Sequence, residues 1–448
     1  MTSSAWDAID AALIGYDAAQ FNVAGAAIQI SSASDSGALL HAFDTGVGFN
    51  TRQPVASSSK IVSALILLSL VSTGHLNLTS TTRDVLGWAA PQGDISLLQL
   101  GSMVSGIDQS YRFCIYPVPN SVGQTLSLSE CADAFRDRPL VSAPGTVLNY
   151  GPVCLPLLSF TRAMSIIPSP HSIHLRTHTH THTHTHTHTH TYIYIYTYTH
   201  VFLSRAVRNT FLQAHWFIAA AMAEKATGMS WNQLFDERIK RPLGLGSSQE
   251  LQFAQWTNAI GNRSGYRYER SIFPGFRYGF RLNTASANPA AGLLVTMNEM
   301  MTIMRIIGGR GTVDGVHIID AQLIDTLLFT NNFPNAYAAP GEIYELVGRF
   351  GYRLGFGTVL FCGRDASTWL RESRCDSAGM ISLTAIAPFF VSTQHNDNDD
   401  NVDNNDASYN AILSSTIRGS TYRVYIALEE LRRAIAPAIA AGIATQNQ

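Results

Sequence analysis

Lysine is nearly missing from this chain. Only Lys60, Lys225 and Lys240 occur among its 448 residues, so a lysine set in an apolar stretch stands out. A surplus of either charge is missing too. Thirty basic residues face 32 acidic ones, for a net charge of −2. That removes the electrostatic case for a nucleic-acid or anionic-membrane partner. No apolar run is long enough to cross a bilayer. The longest near a terminus, Ile61–Val71, falls well short of the about 20 residues a spanning helix needs. No signal-peptide pattern precedes Trp6–Gln20, which already reads as an amphipathic helix. Cysteine is sparse and odd in number: Cys114, Cys131, Cys154, Cys362 and Cys375.

With 46% hydrophobic and 14% charged residues, the chain reads as globular rather than disordered. Its length allows one large domain or two ordinary ones. Val23–Ile30 and Ala38–Phe43 read as two strands around a turn. Lys60–Ser72 is apolar almost all round, which predicts a buried helix closing at Gly74. Ile95–Gly106 predicts a helix ending on a Ser-Gly turn, and Trp216–Thr227 a helix ended by Gly228. Ser230 and Thr296 are candidate caps of helices reaching Ile239 and Ile307. Phe356–Phe361, Ile381–Val391 and Tyr409–Ser414 read as strands, and Tyr422–Ala436 as a helix. Asn396–Asp406 is an Asn/Asp tract expected to be a solvated loop.

Thr177–His200 fits none of this. It alternates Thr and His, then passes into Tyr-Ile and Tyr-Thr. Alternating histidines can hold zinc, nickel or copper. A nucleotide repeat explains the pattern better: ACA-CAC encodes Thr-His, and the shifted TAC-ATA encodes Tyr-Ile. Val153 can begin with GT, and Thr210–Gln213 can be read as a pyrimidine-rich stretch ending in CAG. Residues 153–213 therefore read as a retained intron. Their removal joins Tyr150-Gly151-Pro152 to Ala214-His215-Trp216 in frame and takes Cys154 away. If translated, the segment is expected to be an excursion from one loop.

The chemistry centres on Ser57-Ser58-Ser59-Lys60, an S-x-x-K motif. Residues three apart share a helix face, so the Ser57 hydroxyl and the Lys60 amine can meet. Serine is a weak nucleophile until a neighbouring base takes its proton. A lysine at the head of an apolar helix is desolvated, which favours the neutral form a base needs. A capping serine before a surface lysine gives the same letters, but Lys60 precedes a helix with no polar face.

The surrounding motifs, in order, resemble the serine beta-lactamase and penicillin-binding protein superfamily, in the branch of class C beta-lactamases and family VIII esterases. Pro54-Val55-Ala56-Ser57-Ser58-Ser59-Lys60 is close to that branch's P-x-x-A-S-x-S-K, one residue shorter before the serine. Leu100–Gly106 loosely follows L-L-x-H-x-S-G, and Pro144-Gly145 to Tyr150 follows P-G-x-x-x-x-Y closely. Met222–Trp231 matches M-A-E-x-x-T-G-x-S-W, Pro242–Leu245 is P-L-G-L, and Asn288–Thr296 resembles A-G-G-L-x-S-T. The resemblance spans nearly the whole chain outside 153–213 and the Asn/Asp tract. It implies one α/β (α+β) domain, an antiparallel sheet flanked by helices with a mostly helical subdomain. By position it makes Ser57 the nucleophile, Lys60 its base and Tyr150 a proton relay, with no metal or other cofactor. A plain buried tyrosine is the competing reading of Tyr150.

The departures narrow this. Tyr150-Gly151-Pro152 lacks the asparagine of Y-x-N. In place of K-T-G or H-T-G stands Ser377-Ala378-Gly379, before Met380. It lacks the cation and hydroxyl that hold a carboxylate, while a backbone N–H near Met380 can still serve an oxyanion hole. An uncharged ester or amide, small or peptide-like, therefore suits the chain better than a beta-lactam, and a non-catalytic binding or structural protein of the same fold is the rival reading. Cys114 with Cys131 and Cys362 with Cys375 flank two loops, which fits two disulfides and a secretory route. Four reduced thiols would fit a cytoplasmic protein. The oligomeric state is open.

Overall fold

The computed structural model describes residues 5–19, 26–33, 37–108, 126–149, 214–246, 248–258, 267–270, 277–285, 287–328, 330–338, 352–361, 377–379, 386–391, 409–415, 435, 438–439 and 441–443. The strands that position the site are β1 (Ala26–Ser32), β2 (Leu39–Asp44), β3 (Gln53–Pro54), β4 (Gln252–Phe253), β5 (Leu293–Val295), β6 (Tyr352–Leu354), β7 (Val359–Phe361), β8 (Ser377–Gly379), β9 (Ile386–Val391) and β10 (Tyr409–Ser415). The helices that bear on the site are α1 (Ala5–Ala19), α2 (Ser59–Ser72), α3 (Leu97–Gly101), α4 (Leu128–Arg136), α5 (Ala214–Thr227), α6 (Trp231–Phe235) and α7 (Met297–Gly308).

Seven strands form one antiparallel sheet in the order β6-β7-β8-β9-β10-β1-β2. β1 pairs with β10 from Ala26 opposite Ser415 to Ser32 opposite Tyr409, so segments far apart in the sequence lie side by side as the sixth and fifth strands of the sheet. The pleat of β1 sorts its side chains between two layers. Gln29 donates to Asn298 at 2.6 Å and Ser31 to the Met301 sulfur at 3.1 Å, both on α7. Ile28 and Ile30 are fully buried on the opposite face, where α1 supplies Ile9 and Leu13.

The second half of the architecture is helical. α5 packs against α2, α3 and α4, and Ala214–Ala223 along it are all buried. α2 is buried from Ser59 to Leu70, as a helix without a polar face requires. It stops where Gly74 takes φ +73°. Capping boxes at Ser96/Gln99, Ser127/Glu130, Ser230/Gln233 and Thr296/Glu299 start α3, α4, α6 and α7. Each cap is worth about 1 kcal/mol. No helix among the described residues is long and apolar enough to cross a membrane.

Three elements differ from the sequence expectation. Ile95–Gly106 is helical only over Leu97–Gly101, because Met103 at φ +57° and Gly106 at φ +75° bend the chain into a turn. Phe356–Thr358 is a turn before β7 rather than strand, since Gly357 sits at φ +75°. α6 continues as a π-helical turn, Asp236–Lys240. Residues 153–213, 396–406 and most of the expected helix at 422–436 lie outside the described residues, as do Cys114, Cys362 and Cys375. Cys131 is buried on α4.

The chain leaves the described fold at Asn149 and returns at Ala214, and these points adjoin. The His215 Nε2 lies 2.7 Å from the Asn149 carbonyl oxygen, although the two residues are 66 positions apart. Removing 153–213 brings them to about five positions apart, a separation a simple turn closes. Closing the shorter loop costs about 2 kcal/mol less entropy. A chain lacking 153–213 is therefore expected to fold to the same secondary structure with a higher melting temperature. Circular dichroism and thermal unfolding of both chains check this; loss of the cooperative transition in the shortened chain would refute it.

Glu224 near the end of α5 accepts a hydrogen bond from the Trp231 backbone N–H at 2.7 Å. Burial raises its pKa from 4.5 to about 7, against the opposing pull of that N–H. The folded state then binds more protons than the unfolded chain between about pH 4.5 and 7, so stability falls as pH rises through this window. Glu224→Gln keeps an acceptor for Trp231 and removes the charge. Its melting temperature should exceed that of the parent at pH 8 and approach it at pH 4.5.

Candidate active site

The site starts at the end of β3. Gln53 and Pro54 pair antiparallel with Val295 and Leu294 of β5, and the Val55 N–H donates to the Leu293 carbonyl at 3.0 Å. The chain then reverses through one 3-10 turn, Ala56–Ser58. Ala56 has φ +39°, a conformation uncommon for a residue with a Cβ. Strain of this kind persists only where surrounding structure enforces it. It falls on the residue before Ser57.

From that turn Ser57 enters the head of α2, and Lys60 lies one turn further on. The Lys60 Nζ stands 3.1 Å from Ser57 Oγ and donates to the Ala290 carbonyl at 2.9 Å. Lys60 is 0% exposed and Ser57 5%. Burial holds the lysine pKa well below its ordinary 10.5, because a charge without water around it is disfavoured. A neutral amine has two N–H groups and one lone pair. With one N–H on Ala290, the lone pair can take the Ser57 proton.

The segment before β5 shields this amine. Pro289 accepts from Ser63 Oγ at 2.6 Å, Ala290 accepts from Lys60, and the Leu293 N–H donates to Ser59 Oγ at 3.0 Å. The Asn288 side-chain oxygen accepts from the Ala290 and Ala291 N–H groups at 3.0 and 3.1 Å, which aims the loop's carbonyls at α2. Gly292 is required here, since a Cβ would lie 2.3 Å from the Ala254 carbonyl oxygen. The turn between β6 and β7 closes the other side. A Cβ on Gly357 would lie 2.9 Å from the Lys60 carbonyl oxygen and 2.7 Å from the Ala64 Cβ.

Of the residues expected from sequence, Ser57 and Lys60 are together. Ser377 and Gly379 lie on β8, whose Gly379 is paired with Val359 on one side and Phe389 on the other. β9, next to it, runs alongside the Ala56–Ser58 turn. Tyr150 and Met380 lie outside the described residues.

Sequence reasoning missed His215. Its ring is fully buried, with Nδ1 2.7 Å from Ser105 Oγ and Nε2 2.7 Å from the Asn149 carbonyl oxygen. Burial lowers its pKa to about 4; the Asn149 carbonyl opposes the shift and the Lys60 charge adds to it. Its position next to the Tyr150-Gly151-Pro152 junction was the available signal.

The chain has a beta-lactamase/transpeptidase-like fold, and residues 16–159 match the family model named Beta-lactamase. A beta-lactamase-like protein from Bacteroides dorei superposes with a TM-score of 0.59 at 17% identity, covering 95% of this chain and 97% of its own. EstCE1, a hydrolase with promiscuous acyltransferase activity, gives 0.57 at 14% identity, covering 96% and 99%. Simvastatin synthase from Aspergillus terreus gives 0.55 at 14%, covering 99% of each chain. At these identities the likeness is one of fold. No curated protein sequence matches the chain.

Lys60→Met tests the buried amine. Between the lowered pKa and 10.5 the unfolded chain binds a proton the folded chain does not, so stability of the parent rises with pH across that window. The substitution should abolish this slope and keep or raise the melting temperature at pH 7. Thermal unfolding across pH measures both, and a parent-like slope in Lys60→Met would refute the assignment.

Proposed function

We propose that the protein is a serine hydrolase that works through an acyl-enzyme on an ester or amide, with esters favoured over beta-lactams. The observation that carries the proposal is the 3.1 Å approach of the Lys60 amine to the Ser57 hydroxyl, inside a pocket whose dryness pulls the amine pKa well below its ordinary value. Lys60 takes the proton as Ser57 Oγ attacks the acyl carbon, and a tetrahedral oxyanion forms. Backbone N–H groups suit that oxyanion: Ser57's own, in the 3-10 turn ahead of α2, and one near Met380 after β8. Tyr150 is assigned the relay of the proton to the leaving group, which departs as an alcohol or amine. Water then attacks the acyl-enzyme by the same route in reverse.

The sequence Ser377-Ala378-Gly379 supports the ester preference. It offers neither a cation nor a threonine hydroxyl for a substrate carboxylate. The names of fold neighbours support the acyl-transfer class without choosing among its substrates: a hydrolase with promiscuous acyltransferase activity, a simvastatin synthase and a D-stereospecific amidohydrolase from Streptomyces stand beside a beta-lactamase-like protein and penicillin-binding proteins.

The test is p-nitrophenyl acetate against nitrocefin, with covalent labelling of Ser57 by a fluorophosphonate. The parent should release p-nitrophenol with a burst equal to the enzyme present, and should hydrolyse nitrocefin far more slowly. Ser57→Ala should lose labelling and at least about 10³-fold in kcat. Equal signal from Ser57→Ala and the parent would make the protein a non-catalytic member of the fold.

A further inference from the structure

The turn Met103–Ile107 holds the segment that leads to Tyr150. The Gly145 N–H donates to the Val104 carbonyl at 2.7 Å, the Val141 N–H to Gly106 at 2.8 Å, and the Asn149 N–H to Met103 at 2.9 Å. These bonds hold the segment by its N–H groups. At Asn149 the carbonyl is held as well, by the His215 ring. His215 comes from a different element, the first turn of α5.

The donor pattern around this ring is fixed by chemistry. A carbonyl only accepts, so the Nε2 must carry the proton that bonds Asn149. Nδ1 is then the acceptor, and Ser105 donates its hydroxyl to it. Ser105 Oγ in turn accepts the Ile107 N–H at 3.2 Å. The result is one directed chain of hydrogen bonds, from Ile107 through Ser105 and His215 to Asn149. Ser105 and His215 are both fully buried, so water cannot replace a missing link. This buried histidine bridges the Ser105-Gly106 turn to the residue that immediately precedes Tyr150.

We propose that His215 is a positioning residue, whose bridge from Ser105 to the Asn149 carbonyl sets the backbone from which Tyr150 departs. The assignment rests on the acyl-enzyme reading above for its catalytic consequence, and on the hydrogen bonds alone for its structural one. A phenol that must pass a proton between two oxygens tolerates little displacement. A shift of about 1 Å in such a group can cost about 100-fold in rate.

The experiment uses the full chain with His215→Leu, His215→Gln and Ser105→Ala. Glutamine can donate from its amide nitrogen to Asn149 and accept from Ser105, so it is the conservative rescue; leucine can do neither. Hydrogen–deuterium exchange of the peptides covering 140–152 reads the bridge without any need for turnover. His215→Leu should raise exchange there, His215→Gln should restore protection, and Ser105→Ala should fall between them. With p-nitrophenyl acetate, His215→Leu should lose about 100-fold in kcat while KM stays within about threefold, and His215→Gln should recover to within about tenfold of the parent. Unchanged exchange in a folded His215→Leu overturns the proposal, as does equal loss of kcat in the leucine and glutamine variants. A parent without turnover that still shows the exchange pattern would sink the hydrolase reading and leave the bridge standing. If His215→Leu does not fold, Ser105→Ala decides by the same exchange criterion.

Discussion

The structure depends on an amine taken out of water. Taking an ammonium ion out of water costs several kcal/mol, and that cost pulls the pKa of a buried lysine down toward the neutral form. Around Lys60 the surrounding elements all serve this condition. The Asn288–Leu293 segment supplies one carbonyl acceptor at Ala290 and fastens itself to α2 at Ser59 and Ser63. Gly357 lets the turn between β6 and β7 rest directly on the α2 backbone. Trp216 fills the space beside that glycine. With water around it the lysine would regain its charge, and an ammonium has no lone pair with which to accept the serine proton. Burial is thus the packing solution for a helix with no polar face, and in the proposed acyl-enzyme reading it is also the electrostatic setting for a base.

α5 links this centre to the rest of the helical half. His215 and Trp216 are consecutive on its first turn, and they face two different tasks. Trp216 closes over α2 at Gly357, while His215 reaches the Ser105 turn and Asn149. Any change in how α5 seats would therefore be felt both at the lysine and at the segment leading to Tyr150. The imidazole and the amine also sense each other: the Lys60 charge disfavours a charged His215. Keeping both neutral is one condition rather than two, since the same burial enforces it.

Much of this was legible in the sequence, for identifiable reasons. α2 announced itself because a helix apolar on every side can only be interior. The caps at Ser230 and Thr296 followed from a polar residue preceding a periodic apolar run, and the structure gives each its capping box. Lys60 was conspicuous through the scarcity of lysine. What the sequence hid were contacts between distant segments. Nothing local to Asn288–Leu293 says that its carbonyls cover Lys60, 230 positions away. His215 was hidden by the 66 positions that separate it from Asn149. The expected helix through Gly106 failed because positive φ at Met103 is set by tertiary context, which propensity does not carry.

The division between backbone and side-chain chemistry explains how such a scaffold can keep one step and change its substrate. In the proposed acyl-enzyme reading, attack by Ser57 needs the Ser57–Lys60 pair and backbone N–H donors. The backbone donors follow from the start of α2 and the strand order β7-β8-β9, whatever side chains those strands carry. Recognition of a carboxylate needs particular side chains on β8. Replacing a cation and a hydroxyl by Ser377 and Ala378 changes the second requirement without touching the first. The strand remains hydrogen-bonded on both edges, from Ser377 opposite Val391 and Phe361 to Gly379 opposite Phe389 and Val359. In the proposed reading, a fold that takes its oxyanion donors from backbone and its base from burial can therefore lose its grip on one class of substrate without losing the groups the acyl-transfer step needs.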